Sequence, residues 1–151
     1  DVLMGTVRAV RATVPVLVAR GAGTIVTTSA FSIHSPHANR SAYGVLKGGI
    51  AVFTKGIAKA YGEQGIRANC IAPGVIETAA LTEIRAAVAK AKGLPYESAL
   101  ETLMATEWGM KVALGRPGLP EEVGDLAAFL LSPRAGYLTG ALVNIDGGTD
   151  F

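Results

Sequence analysis

The sequence predicts an α/β fold in which parallel strands alternate with helices, and three observations carry that prediction. Residues 24–29 form a short run rich in β-branched side chains, too brief for a helix and apolar enough for a buried parallel strand. Residues 65–72 switch again to strand composition and stop at Pro73-Gly74, a dipeptide that punctuates turns. Before, between and after these runs, residues 1–20, 41–61 and 119–131 space their apolar side chains at the helical period.

In chain order, residues 1–20 place Val2, Leu3, Val7, Val10, Val14, Leu17 and Val18 on one helical face and keep Arg8, Arg11 and Arg20 off it. Gly21 closes this helix. Gly21-Ala22-Gly23 follows a helix and precedes a strand, the reverse of the order that cradles a phosphate, so it reads as a helix stop. A polar connection with His34, Pro36, His37 and Asn39 leads into the next helix. No Cys, Asp or Glu near His34 and His37 completes a ligand set, so no metal is expected. Over residues 41–61 the apolar stripe is Val45, Ile50, Val52, Phe53, Ile57 and Ala58, with small Gly48, Gly49 and Ala51 permitting close packing. Residues 79–114 are too many for a plain loop in a compact domain. They are expected to hold one helix around Leu81, Ile84, Ala87 and Val88, and a second over residues 96–108 after the break at Gly93-Leu94-Pro95. Leu119-Pro120-Glu121-Glu122 opens a further helix with proline and acids in its first turn, and Ser132-Pro133 stops it. Residues 141–145 read as a last apolar strand before the turn Asp146-Gly147-Gly148.

Size and charge narrow the function classes. The chain has 151 residues, half of them apolar, which suffices for one core. Fourteen basic against twelve acidic residues, net +2, create no dominant field, so neither a nucleic acid nor an anionic membrane is expected as a partner. The lone Cys70 makes no internal disulfide and suits a reducing compartment. With no uncharged apolar run of about 18 residues and no signal-type N-terminus, a cytoplasmic location is the expectation.

Ser41-Ala42-Tyr43-Gly44-Val45-Leu46-Lys47 is where chemistry shows. Tyr43 and Lys47 are four apart and share a helix face. An unperturbed phenol titrates near pH ~10, and an ammonium one turn away favours its ionised form. The pair therefore suggests a tyrosine acid/base that gives a proton to a carbonyl oxygen or takes one from an alcohol. Taken alone, the same spacing also fits an ordinary solvated helix face.

Tyr43 and Lys47, the hydroxyl-rich strand end Thr27-Thr28-Ser29, the stretch Asn69-Cys70-Ile71-Ala72-Pro73-Gly74-Val75-Ile76-Glu77-Thr78 and the tail Gly140–Gly148 occur together and in order. In this the sequence resembles the short-chain dehydrogenase/reductase family. The resemblance covers essentially the whole chain, yet only the second half of a family domain of about 250 residues. It implies the C-terminal part of a Rossmann-type doubly wound parallel sheet with helices on both faces, residues 1–151 being a partial NAD(P)-binding domain. No Gly-x-Gly-x-x-Gly turn precedes Tyr43, and the isolated chain is expected to be inactive by itself.

By the same resemblance Tyr43 is the acid/base and Lys47 holds the nicotinamide ribose of NAD or NADP. Pro73 and Gly74 shape the turn over the nicotinamide, Ile76 offers backbone groups to its carboxamide, and Thr78 contacts the carboxamide or phosphate; Thr78 equally suits a helix cap. Residues 79–115 cover a small-molecule carbonyl or alcohol substrate, with Met104, Trp108 and Met110 either lining it or packing the cover onto the body. The implied assembly is a homodimer or homotetramer. Two positions depart from the family pattern: Val2 stands where an asparagine is usual, and ungapped counting back from Tyr43 puts Ala30 at the serine position. Ser32, two residues beyond Ala30, is the preferred hydroxyl, and Ser29 is the alternative. The function expected is ketone–alcohol interconversion, with a non-catalytic binding or scaffold subunit, or a lyase or isomerase on the same fold, as alternatives.

Overall fold

A computed structural model gives the architecture of the chain and describes residues 1–36 and 41–149. His37 and Asn39 of the predicted polar connection fall outside these residues. The sheet has three parallel strands in sequential order, β1 (Gly23–Thr28), β2 (Ile66–Pro73) and β3 (Leu142–Ile145). Helices cover both faces, as predicted. α1 (Val2–Arg20) and α2 (Ser41–Tyr61) pack on each other and on β1, while α5 (Pro120–Leu131) packs against β1 and β2.

α1 ends where the sequence says, with Gly21 in the left-handed region donating to Val18 O. Pro15 lies inside α1 without ending it, at the expense of one helical hydrogen bond. Among the described residues α1 is also long and apolar enough to match a bilayer span by length and composition, although Val10 and Val14 turn inward. The starts of β1 and β2 lie side by side through Gly65, whose φ is +78°. A side chain there would collide with the carbonyl oxygen of Gly21.

β2 is the centre of the core. Ile66, Ala68, Asn69, Cys70, Ile71 and Ala72 are all buried, as expected of a strand flanked on both edges and covered on both faces. Asn69 is the polar exception: its amide donates to Leu138 O at 2.8 Å and its oxygen accepts from Ala141 N at 3.0 Å. Those bonds fix the turn that feeds β3. A second buried polar pair, Thr27 and Thr54, joins β1 to α2 through hydroxyls 2.7 Å apart.

The long region after β2 holds two helices, α3 (Ala79–Lys92) and α4 (Tyr96–Thr106), packed on each other. Leu100, Leu103 and Met104 form their buried core, against which Val75, Trp108 and Met110 pack. α4 stops two residues short of the predicted end. Glu107 N and Trp108 N both donate to Leu103 O, Met110 N returns to Met104 O, and Gly109 takes a positive φ, so the chain winds back on itself.

Candidate active site

The C-terminal ends of β1 and β2 open onto a cavity of about 680 Å³, the end at which open α/β sheets bind ligands. Thr28, Ser29 and Ala30 reach it from β1, Tyr43 and Lys47 from α2, and Pro73 and Gly74 from β2. Glu107, Trp108 and Met110, on the exit from α4, form the facing wall.

α2 begins close to this opening and presents one face to it. Tyr43 is 44% exposed, and Lys47, one turn on, sets its Nζ 5.7 Å from the centre of the Tyr43 ring. The ammonium also donates to Thr28 O at 3.0 Å. This bond occupies one of its three donors and leaves two for another partner. Partial burial pushes the Lys47 pKa below 10.5, against a smaller upward pull from Cys70. The two residues thus share a face and a cavity, as their spacing predicts.

The two serines differ in environment. Ser29 is buried and donates to Lys47 O at 2.9 Å, which ties the end of β1 to α2. Ser32 sits in a single turn of 3-10 helix, Phe31–Ile33, on the border of the cavity. Its hydroxyl oxygen is buried and, among the described residues, has no hydrogen-bond partner. A buried hydroxyl without a partner is costly unless something else satisfies it. Ala30, the counted serine position, faces the same cavity with no polar group.

Gly74 is required by packing. A Cβ there would come within 2.7 Å of Asp146 Cα, so the turn after β2 lies directly on the turn after β3. Ile76 and Thr78 stand apart from the cavity wall. Ile76 pairs with Gly118 and borders a separate cleft of about 110 Å³ beside Asp146, while Thr78 is the N-cap residue of α3, its carbonyl accepting from Thr82 N. The cavity therefore gathers Ser29, Ser32, Tyr43, Lys47, Pro73 and Gly74, and leaves Ile76 and Thr78 outside its wall.

Two features escaped sequence reasoning. Glu107 on the cavity wall carries no motif, and its ion pair with Lys92 joins residues fifteen apart in sequence. Phe31 lies in a short turn with no periodicity to read. For metals, the described residues contain no group of three or more His, Cys, Asp or Glu close enough to hold an ion. His34 instead pairs with the Asn144 side chain at 3.2 Å.

Comparison with known proteins accords with this geometry. Residues 2–150 match the family described as Enoyl-(Acyl carrier protein) reductase. The chain is 34% identical over 146 residues to the uncharacterized oxidoreductase YxbG of Bacillus subtilis (strain 168), covering 97% of this chain and 50% of that protein. It is 34% identical over 134 residues to the 3-oxoacyl-(acyl-carrier-protein) reductase FabG of Chlamydia trachomatis serovar D, covering 89% and 47%. Among solved structures, L-sorbose reductase from Gluconobacter frateurii, complexed with NADPH and L-sorbose, superposes with a TM-score of 0.84 at 30% identity, covering 97% of this chain and 54% of that one. The chain thus spans about half the length of the relatives it matches. A family match along nearly the whole chain, relatives that agree with it and the same parallel sheet lead to one conclusion: this chain belongs to the short-chain dehydrogenase/reductase family.

Proposed function

We propose that this chain supplies the catalytic half of an NAD(P)-dependent oxidoreductase interconverting a ketone and a secondary alcohol. One observation carries the reading: Tyr43 and Lys47 face a cavity at the carboxyl ends of the strands, bordered by a buried Ser32 hydroxyl that has no partner among the described residues.

The residues present fit a nicotinamide nucleotide. Lys47 has two donors to spare for ribose hydroxyls, and Pro73-Gly74 forms a tight turn at the cavity edge. Ile76 and Thr78 are assigned to the carboxamide end of the same ligand, through the segment that follows Gly74. When bound, the nicotinamide supplies or accepts the hydride.

The rest falls to the chain's own side chains. Ser32 holds the substrate oxygen by hydrogen bonding, with Ser29 as the alternative, although the Ser29 proton is already donated to Lys47 O. Tyr43 gives its phenolic proton to that oxygen in reduction and recovers it in oxidation. The Lys47 charge beside the ring favours the phenolate formed in between. Residues 79–115 cover the substrate, with Trp108 and Met110 excluding water. Exposed apolar residues on α1 and α2, among them Val16, Val45 and Val52, suit burial in a homodimer or homotetramer.

The reading is tested by incubating the complete protein with a panel of neutral and acidic ketones and each reduced cofactor. Net oxidation of NADH or NADPH with one ketone class is the expected result. Cofactor binding without turnover on any ketone would contradict the reading and favour a non-catalytic binding subunit.

A further inference from the structure

The most enclosed charge of the described residues lies outside the cavity. Arg85 on α3 is 4% exposed, a degree of burial that arginine reaches only when fully paired. Every nitrogen of its guanidinium donates. Nε and Nη2 hold the Glu77 carboxylate at 2.7 and 2.9 Å, and Nη1 and Nη2 hold Glu101 at 2.9 and 3.0 Å. Nη1 also meets the carbonyls of Tyr96 and Glu97, at 3.3 and 2.7 Å. Both carboxylates are gripped in bidentate fashion, the strongest geometry such a pair can adopt.

Three separate pieces of chain meet on this one side chain. Glu77 lies on the exit from β2, three residues beyond Gly74, with its backbone N–H bound to Gly118 O at 2.8 Å. Arg85 belongs to α3, and Glu101 to α4 beside the fully buried Leu100. Six residues after Glu101, the chain leaves α4 and forms the cavity wall with Glu107, Trp108 and Met110. Trp108 and Met110 also pack on the Leu100, Leu103 and Met104 cluster, so the wall is attached to α4 by more than the backbone.

We propose that Glu77, Arg85 and Glu101 form a latch that locks α4 to the exit from β2 and so positions Trp108 and Met110 as the substrate-facing wall. These three are positioning residues, none of them in the cavity lining. That the wall faces a carbonyl substrate rests on the oxidoreductase reading; the latch itself rests on the ion triad. An ammonium cannot replace the guanidinium here. Its three donors leave a single nitrogen and cannot span two carboxylates and two carbonyls.

The test uses Arg85→Lys and Glu101→Gln in the complete protein. Trp108 is the chain's single tryptophan, and a Trp108→Phe background subtracts any other emission. In both variants Trp108 emission should shift to the red and become more open to acrylamide quenching. KM for the carbonyl substrate should rise about tenfold, with cofactor Kd within about twofold and kcat within about threefold of wild type. Should Arg85→Lys not fold, Glu101→Gln, which keeps an acceptor toward Arg85, decides alone. Lower thermal stability with unchanged Trp108 emission and unchanged KM would overturn the latch, leaving the triad a structural ion pair. An emission shift in a protein that reduces no ketone would uphold the latch and sink the oxidoreductase reading instead.

Discussion

Replacing Asn69 by leucine removes two hydrogen bonds and little volume, so its cost is almost wholly polar. The side chain has no exposed surface, and among the described residues it alone binds Ala141 N, at 3.0 Å. Leu138 O, its other partner, keeps a bond from Arg67 Nη1 at 3.1 Å. Stranding the Ala141 N–H costs about 1–3 kcal/mol, and losing the bond to Leu138 adds about 0.5–1.5 kcal/mol. The sum, about 1.5–4.5 kcal/mol, is a large share of a typical stability of about 5–15 kcal/mol. At about 2–4 °C per kcal/mol for a domain of this size or larger, Tm should fall by roughly 3–18 °C. Asn69→Asp should be at least as harmful, because it keeps the acceptor for Ala141 but turns a carboxylate oxygen toward Leu138 O. Thermal and urea unfolding of the complete protein measure both. An Asn69→Leu protein within about 0.5 kcal/mol of wild type would refute the assignment of the turn before β3 to this side chain.

Other perturbations test other contacts. Gly74→Ala forces a methyl group against Asp146 Cα and Cβ, at 2.7 and 2.8 Å, and should cost about 1–3 kcal/mol while weakening cofactor binding; unchanged stability would show that the two turns do not touch. Glu122, gripped by Arg116 and capped by Leu119 N, has its carboxyl pKa lowered from 4.5 to about 2. A depressed carboxylate stabilises the fold above its ordinary pKa and loses that effect as pH falls through the lowered value. The stability difference between wild type and Glu122→Gln should therefore be greatest near neutrality and vanish between about pH 4.5 and about pH 2; a difference independent of pH would contradict the pairing. If α1 and α2 form a subunit contact, Val45→Asp together with Val52→Asp, both on exposed positions of α2, should shift the complete protein to a smaller species in light scattering; an unchanged mass would move the contact elsewhere.

What could be read in advance divides along physical lines. α1, α2 and α5 were legible because each sets a repeating apolar face against polar residues, and α1 and α5 also stop at Gly21 and Ser132-Pro133, local signals. β2 was legible as a buried run, β1 as a strand that proves to be a mostly half-buried edge, and Tyr43 and Lys47 because helical spacing alone makes them neighbours. Contacts between distant segments were not legible. Arg85 reads as one more scattered surface charge until folding brings Glu77 and Glu101 to it, and Asn69 reads as a polar interruption of a strand until Leu138 and Ala141 arrive. The choice between Ser29 and Ser32 likewise hung on a tertiary fact, the bond from Ser29 to the backbone of Lys47. Ile76 and Thr78 carry a family role in the sequence, and their absence from the cavity lining accompanies the pairing of Ile76 with Gly118, a partner 42 residues away that no local pattern announces.

The claim at the centre is that the Tyr43 hydroxyl delivers the proton in the cavity beside Lys47. Tyr43→Phe removes that oxygen while keeping the ring. In the complete protein, with reduced cofactor and an accepted ketone, turnover should fall by at least about two to four orders of magnitude, the scale of lost general acid catalysis, while cofactor Kd stays within a few-fold of wild type. A Tyr43→Phe protein that binds cofactor and still turns over within about tenfold of wild type would contradict the account.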